Sequence, residues 1–183
     1  EISLTDELTK IYNRRGFYLL GEPILSEGRR LLMPLTILYF DLDGLKEVND
    51  TLGHDTGSQL VLEFANLLRT TFRSSDVVAR VGGDEFAVVA RSRQADIMIA
   101  LKRLDAAIEA ANSTGEKPYQ ISYSVGEAAS EPTADESFAE LVARADAVMY
   151  ERKRLKKAAR ASTAETDPGS RQPLPAATVQ EPR

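Results

Sequence analysis

The chain has 183 residues, 43% hydrophobic, with a net charge of −5, enough for one domain with a real core and without the basic field that announces nucleic acid or membrane surfaces. Cysteine is absent and there is one histidine, His54, so disulfides, thiolate sites and multi-histidine zinc are excluded. Any metal must sit on oxygen, which favours magnesium, manganese or calcium. No apolar run approaches the roughly 20 residues of a membrane span, no signal peptide is expected before Glu1, and no methionine opens the chain. The expectation is a cytoplasmic domain, or a cytoplasmic piece of a longer protein.

In chain order, "SLTDELTKIYNRRGFYLLGEPILSEGRRLL" reads as two helical pieces. Ser3 or Asp6 would cap the first, and Pro23 must lie in the first turn of the second or break it. "PLTILYFDLD" is nearly all apolar until Asp41, as expected of a central strand buried on both faces. "GLKEVND" suits a short helix. "SQLVLEFANLLRTTF" places Leu60, Val61, Phe64, Leu67 and Leu68 on one helical face. "DVVARVGGDEFAVVAR" is two strand-like runs around Gly82-Gly83, a hairpin signal. An alanine-rich amphipathic helix ending near Asn112, a strand in "YQISYSVGEAA" and a long helix in "SFAELVARADAVMYERKRLKKAAR" complete the body. Residues 161–183 hold four of the chain's eight prolines and few large aliphatics, and are expected to be a disordered tail after a domain at 1–160. The pattern predicts α+β architecture, with helices packed on a mostly antiparallel sheet.

A lone Asp at a strand end more often caps a helix than holds a ligand. Nor does the segment from Asp41 suit an EF-hand loop, because Lys46 and Leu52 stand where that loop needs Gly and Glu. A second acidic cluster changes this reading. Asp84 and Glu85 follow two glycines in a hairpin turn, where positive φ and close ligand approach are expected. A strand ending at Asp41 beside a hairpin tip carrying Asp84, with a backbone carbonyl, makes a hard oxygen site that would hold Mg²⁺ together with substrate phosphates. Lys46, the amides near Gly44, and Lys153 and Lys157, four apart on one helix, supply positive charge for those phosphates.

"DELTKIYNRRGF", "DLDGLKEVNDTLGHDTG", "RSSDVVARVGGDEF" and "ADAVMYERK" resemble, in order, the motifs of GGDEF-domain dinucleotide cyclases. That resemblance implies a five-stranded, palm-like sheet related to nucleotidyl cyclases, acting as a homodimer of half-sites that each hold one purine nucleoside triphosphate. It implies two Mg²⁺ (or Mn²⁺) per half-site on Asp41, the Leu42 carbonyl and Asp84. Glu85 would be the second acid of the signature, with catalytic work shared by Asp84, Glu85 and Lys153. Gly44, Leu45, Lys46, Lys153 and Lys157 would hold phosphates, and Asn49 the base. "RSSD", with Arg73 and Asp76, matches an inhibitory site for the cyclic dinucleotide product, with Arg103 as a candidate helper. An upstream sensory or receiver module is expected, and neither DNA nor membrane as a partner.

Ser58 stands where the family usually has aspartate. A hydroxyl both donates and accepts, so it should tolerate either purine. This resembles the hybrid promiscuous subfamily and leads to the expectation of GTP and ATP as substrates, giving 3′,3′-cGAMP alongside cyclic di-GMP and cyclic di-AMP. The alternatives are a GTP-specific enzyme making only cyclic di-GMP, and a catalytically silent cyclic-dinucleotide receptor. His54 and the Tyr12–Arg15 segment are given structural roles, and Leu45 in place of an aromatic is read as a packing change.

Overall fold

A computed structural model describes residues 3–165 of the chain. Its centre is the strand the sequence marks most clearly, β2 (Leu35–Leu42), of which only Tyr39 is not buried. Successive side chains of a strand point to opposite faces, so a strand apolar on both faces needs a cover on each. Leu38, Phe40 and Leu42 enter one core, Leu35 and Ile37 the other.

In chain order the other elements are β1 (Tyr12–Asn13), α1 (Arg14–Arg30), α2 (Leu45–Leu52), α3 (His54–Thr71), β3 (Val77–Arg80), β4 (Glu85–Ala90), α4 (Gln94–Ser113), β5 (Tyr123–Ser130) and α5 (Phe138–Glu165). They form a five-stranded sheet of order β1-β3-β4-β2-β5. Only the β1–β3 pair is parallel. The protein is thus α+β, a mostly antiparallel sheet flanked by helices. On one face α3 and α4 supply Phe64, Leu68, Ile97 and Leu104. Phe64 meets Phe86 and Phe40 edge-on, at centroid separations of 5.0 and 6.1 Å. On the other face α1 and α5 supply Phe17, Leu25, Phe138, Leu141 and Ala145.

The N-terminal segment departs from the two-helix reading. Asp6 does not start a helix. Its carboxylate accepts from the Thr9 amide and hydroxyl at 2.8 and 2.7 Å, Lys10 takes φ 60°, and the chain turns back so that the Asp6 amide reaches the Ile11 carbonyl. Such local side-chain bonds compete with helix formation. The cap of α1 is Asn13, which accepts from the Gly16 amide at 2.9 Å and donates to the Ser3 and Thr5 carbonyls. Pro23 lies inside α1 and does not break it. It and Leu19, whose carbonyl loses its partner, are both exposed, where water can replace the missing bond. At the other end α5 continues through Glu165, past the expected boundary at 160; the rest of the proposed tail, 166–183, lies outside the described residues.

Gly126 sets how closely α5 lies on β5. A Cβ there would stand 2.1 Å from the Ala145 carbonyl and 2.2 Å from the Met149 amide, both backbone. Gly126→Ala must therefore push α5 off the sheet. It is expected to destabilise the fold by about 1–3 kcal/mol; a denaturant midpoint equal to wild type would contradict this.

Candidate active site

The site is built at one end of β2. Pairing between β2 and β4 sets Asp41 directly opposite Glu85, and the Leu42 amide donates to the Asp84 carbonyl at 2.8 Å. This backbone bond fastens the hairpin tip to the strand end, so Asp41, Leu42 and Asp84 come together as expected. The tip is held from below as well. Arg80 donates from Nε and Nη2 to the Gly83 carbonyl, at 3.1 and 2.7 Å, and its Nη1 stands 3.5 Å from Asp6. The role of the paired glycines differs from the expectation. Neither Gly82 nor Gly83 takes positive φ. Gly82 is needed for space, because the Glu85 carboxylate folds over it, 2.3 Å from where a Cβ would stand. Positive φ occurs at Gly44 (76°), the N-cap of α2, where the chain turns from β2 into the helix.

Two lysines on one face of α5 meet the strand-end acids. Lys153 Nζ donates to Asp41 Oδ1 at 2.5 Å, and Lys156 Nζ to Asp43 Oδ2 at 2.6 Å. Asp43 also accepts from the Ser122 and Ser124 hydroxyls, at 2.9 and 3.1 Å. Burial works against every charge here. For Asp41 it outweighs the Lys153 bond, and with the like charges of Asp84 and Asp43 its carboxyl is pushed up. For Asp43, burial is outweighed by the bonds from Lys156 and Ser122, and its carboxyl is held down. Burial also opposes the Lys153 charge, but the bond and charge of Asp41, with Asp84 and Asp43 beyond, raise its pKa. Glu85 is raised by burial, then by Asp84, Asp146 and Asp41.

Sequence reasoning missed Lys156, Ser122, Ser124 and Arg80. The signal for Lys156 was present. Lysines one helical turn apart can face carboxylates two apart on a strand, but the partners are far apart in sequence.

Beside the acids opens a cleft of about 600 Å³, lined by Gly44, Leu45, Lys46, Asp84, Lys153 and Lys157 among others. Apart from Asp84, which is expected to hold metal, these are the residues expected to hold phosphates. Asn49 and Ser58 lie to one side, on the α2–α3 corner. The Asn49 carboxamide covers Gly57, 1.9 Å from where a Cβ would stand, and the neighbouring Ser58 is half-buried. His54 is an exposed first residue of α3. Among the described residues no group of three His, Cys, Asp or Glu side chains converges as a metal centre. The donors that could hold a divalent ion are the Asp41 and Asp84 carboxylates and the Leu42 carbonyl. That is a hard but incomplete set, which a ligand's own oxygens would have to fill out.

RSSD forms a closed turn. The Arg73 amide donates to the Asp76 carboxylate at 3.0 Å, and the Asp76 amide to the Arg73 carbonyl at 2.9 Å. Arg73 and Asp76 line a recess of about 400 Å³ shared with Lys10, Tyr12 and Arg69. Arg103 is not among its lining residues. Its guanidinium donates to the Thr71 carbonyl at 2.6 Å, and Arg69 is the arginine that stands beside Arg73 instead.

The sheet is palm-like, and at its end two carboxylates come together beside a lysine-lined cleft. Residues 3–159 match the family model described as "Diguanylate cyclase, GGDEF domain", and the chain belongs to that family. It is 34% identical over 154 residues to the Pseudomonas aeruginosa bifunctional diguanylate cyclase/cyclic di-GMP phosphodiesterase MucR, covering 84% of this chain and 22% of that protein. It is 32% identical to the probable diguanylate cyclase DgcC of Escherichia coli, covering 84% and 41%. The GGDEF domain of DgcB from Caulobacter crescentus, solved in complex with c-di-GMP, superposes with a TM-score of 0.76 at 29% identity, covering 84% of this chain and 92% of that one. The chain thus spans less than half the length of these curated relatives.

The Asp6 turn gives a pH test. Burial raises the Asp6 carboxyl, but the Thr9 hydroxyl and amide, then Arg80, outweigh it and hold it below the ordinary 3.8. A carboxylate depressed in the folded state contributes stability that is complete above its unfolded pKa and lost as pH falls through the folded value. Between pH 7 and pH 3 the wild type is expected to lose more thermal stability than Asp6→Asn. Equal losses would contradict the turn's contribution.

Proposed function

We propose that this domain condenses two molecules of GTP into cyclic di-GMP with release of two pyrophosphates. The observation that carries this is the pairing of β2 with the hairpin tip, which sets Asp41, the Leu42 backbone and Asp84 together beside a lysine-lined cleft. Such an arrangement suits a triphosphate whose oxygens complete the donor set. Bound on Asp41, Leu42 and Asp84, Mg²⁺ or Mn²⁺ would lower the pKa of an attacking hydroxyl and stabilise charge on the α-phosphate. The chain's own residues do the rest. Lys46, Lys153 and Lys157 hold phosphate oxygens, Gly44 lets the backbone approach them, and Asn49 fixes the base. The 3′-hydroxyl of one nucleotide forms a bond to the α-phosphorus of the other, the bond to the β-phosphate oxygen breaks, and pyrophosphate leaves. Glu85, directly opposite Asp41 in the β2–β4 pairing, is placed to take the hydroxyl proton. One cleft holds one nucleotide, so closing a two-fold ring takes two copies facing each other. The cyclic product would bind the recess at Arg73 and Asp76, with Arg69 and Lys10 supplying charge. Within a longer cytoplasmic protein, an upstream module would govern how the copies meet.

Mixed use of GTP and ATP is a second reading. Only Ser58 favours it, half-buried beside the Asn49–Gly57 contact. The names of the relatives speak for diguanylate cyclases, so GTP alone is the better-supported substrate.

Incubation with Mg²⁺ and equimolar GTP and ATP, with products identified by mass spectrometry, is expected to give cyclic di-GMP and pyrophosphate. Asp84→Ala should lower turnover by about 100-fold or more. Mixed cyclic GMP-AMP would favour the Ser58 reading, and Ser58→Asp should then remove it. No pyrophosphate from the wild type would leave a binding module. Specific activity should also rise with protein concentration in the range where copies pair; a strictly constant value down to the lowest concentrations would contradict the half-site dimer.

A further inference from the structure

Lys156 lines the same cleft as Lys46, Lys153 and Lys157, yet it is not placed to hold phosphate. An ammonium has three donors, and all three are engaged: with Asp43 Oδ2 at 2.6 Å, Ser122 Oγ at 2.8 Å and the Tyr123 carbonyl at 2.8 Å. The Asp43 side chain is 11% exposed and that of Lys156 35%, so the pair is partly shielded from water. Asp43 also accepts from Ser122 at the same Oδ2 and from Ser124 at Oδ1. It directly follows the proposed metal donor Leu42 in sequence, but it is turned into a bracket between α5 and the start of β5.

Two consequences follow from this geometry. First, Lys153 and Lys156 lie one turn apart on α5, while Asp41 and Asp43 lie two apart at the end of β2. The two ion pairs are rungs of one ladder, so the second reinforces the seating of α5 that puts Lys153 on Asp41. Second, a carboxylate held by an ammonium and two hydroxyls does not compete for a divalent ion.

We propose that Lys156 is a positioning residue, which by bracketing Asp43 against β5 both sets Lys153 at the cleft and keeps Asp43 out of the metal-binding set. This rests on the cyclase reading for its effect on turnover, but not for its effect on metal binding.

The test uses the 183-residue chain. Mn²⁺ is titrated into nucleotide-free protein, with the free ion read by electron paramagnetic resonance, alongside GTP turnover and thermal melts. Lys156→Met should bind Mn²⁺ about fivefold or more tightly, because Asp43 is released to the ion, and its kcat should fall about tenfold. Adding Asp43→Asn to it should return Mn²⁺ affinity to the wild-type value. Lys156→Arg, which keeps the charge and several donors, should stay within about threefold of wild type in both. Lys157→Met removes a charge from the same cleft without touching Asp43, and should change Mn²⁺ affinity less than twofold. Mn²⁺ affinity and kcat of Lys156→Met within twofold of wild type would overturn the proposal, whatever its melting temperature. So would an equal gain in affinity from Lys157→Met, which would reduce the effect to net charge. If Lys156→Met does not fold, Asp43→Asn decides: kcat about tenfold lower with Mn²⁺ affinity unchanged supports the bracket, and unchanged kcat overturns it. A wild type that turns over no GTP sinks the cyclase reading, while the Mn²⁺ comparison still decides the bracket.

Discussion

The backbone bond from the Leu42 amide to the Asp84 carbonyl is the constraint on which the site depends. It continues the β2–β4 ladder one step past the sheet and brings a third acid, Asp84, to the end of a strand where Asp41 and Asp43 already stand. Packing carboxylates together in partial burial is unfavourable unless opposite charge is close. α5 supplies that charge with Lys153 and Lys156, and Gly126 lets the helix come near enough to do so. Sheet pairing, helix packing and charge balance therefore meet at one place, which ties the site to the core.

The overall charge of −5 hides this local arrangement. Lys46, Lys153, Lys156 and Lys157 all face one cleft, while many of the remaining acids are spread over helix surfaces. An anionic nucleotide would be recognised by that cleft and by the cation donors, not by the field of the whole protein. The recess at Arg73 is separate in the fold. It lies beside β1 and β3, on the far side of the hairpin from β2.

Much of this was legible in the sequence, for identifiable reasons. β2 and the hairpin show as unbroken apolar runs that stop at charged residues, and α3 shows its buried stripe at Leu60, Val61, Phe64 and Leu68. The acids and most of the cleft lysines were therefore found. Where local reading failed, a particular side-chain bond had decided the backbone. Asp6 with Thr9 made a turn of an expected helix. Asn112 pairs in both directions with the Ile121 backbone, so β5 begins at Tyr123 and not at the start of its apolar run. Lys156, Arg80 and Arg69 take their meaning from partners brought close only by folding, and Arg103 is diverted by a carbonyl that no spacing rule reveals.

The most direct test of the central claim is a paramagnetic titration. Substoichiometric Mn²⁺ is added to the ¹⁵N-labelled protein with a non-hydrolysable GTP analogue, and amide signals are followed by NMR. Clasping of the ion between strand end and hairpin tip predicts that residues 41–44 and 83–85 broaden first. Broadening centred elsewhere, for instance at Asp105 and Glu109 on α4, with the β2 end unaffected, would contradict it.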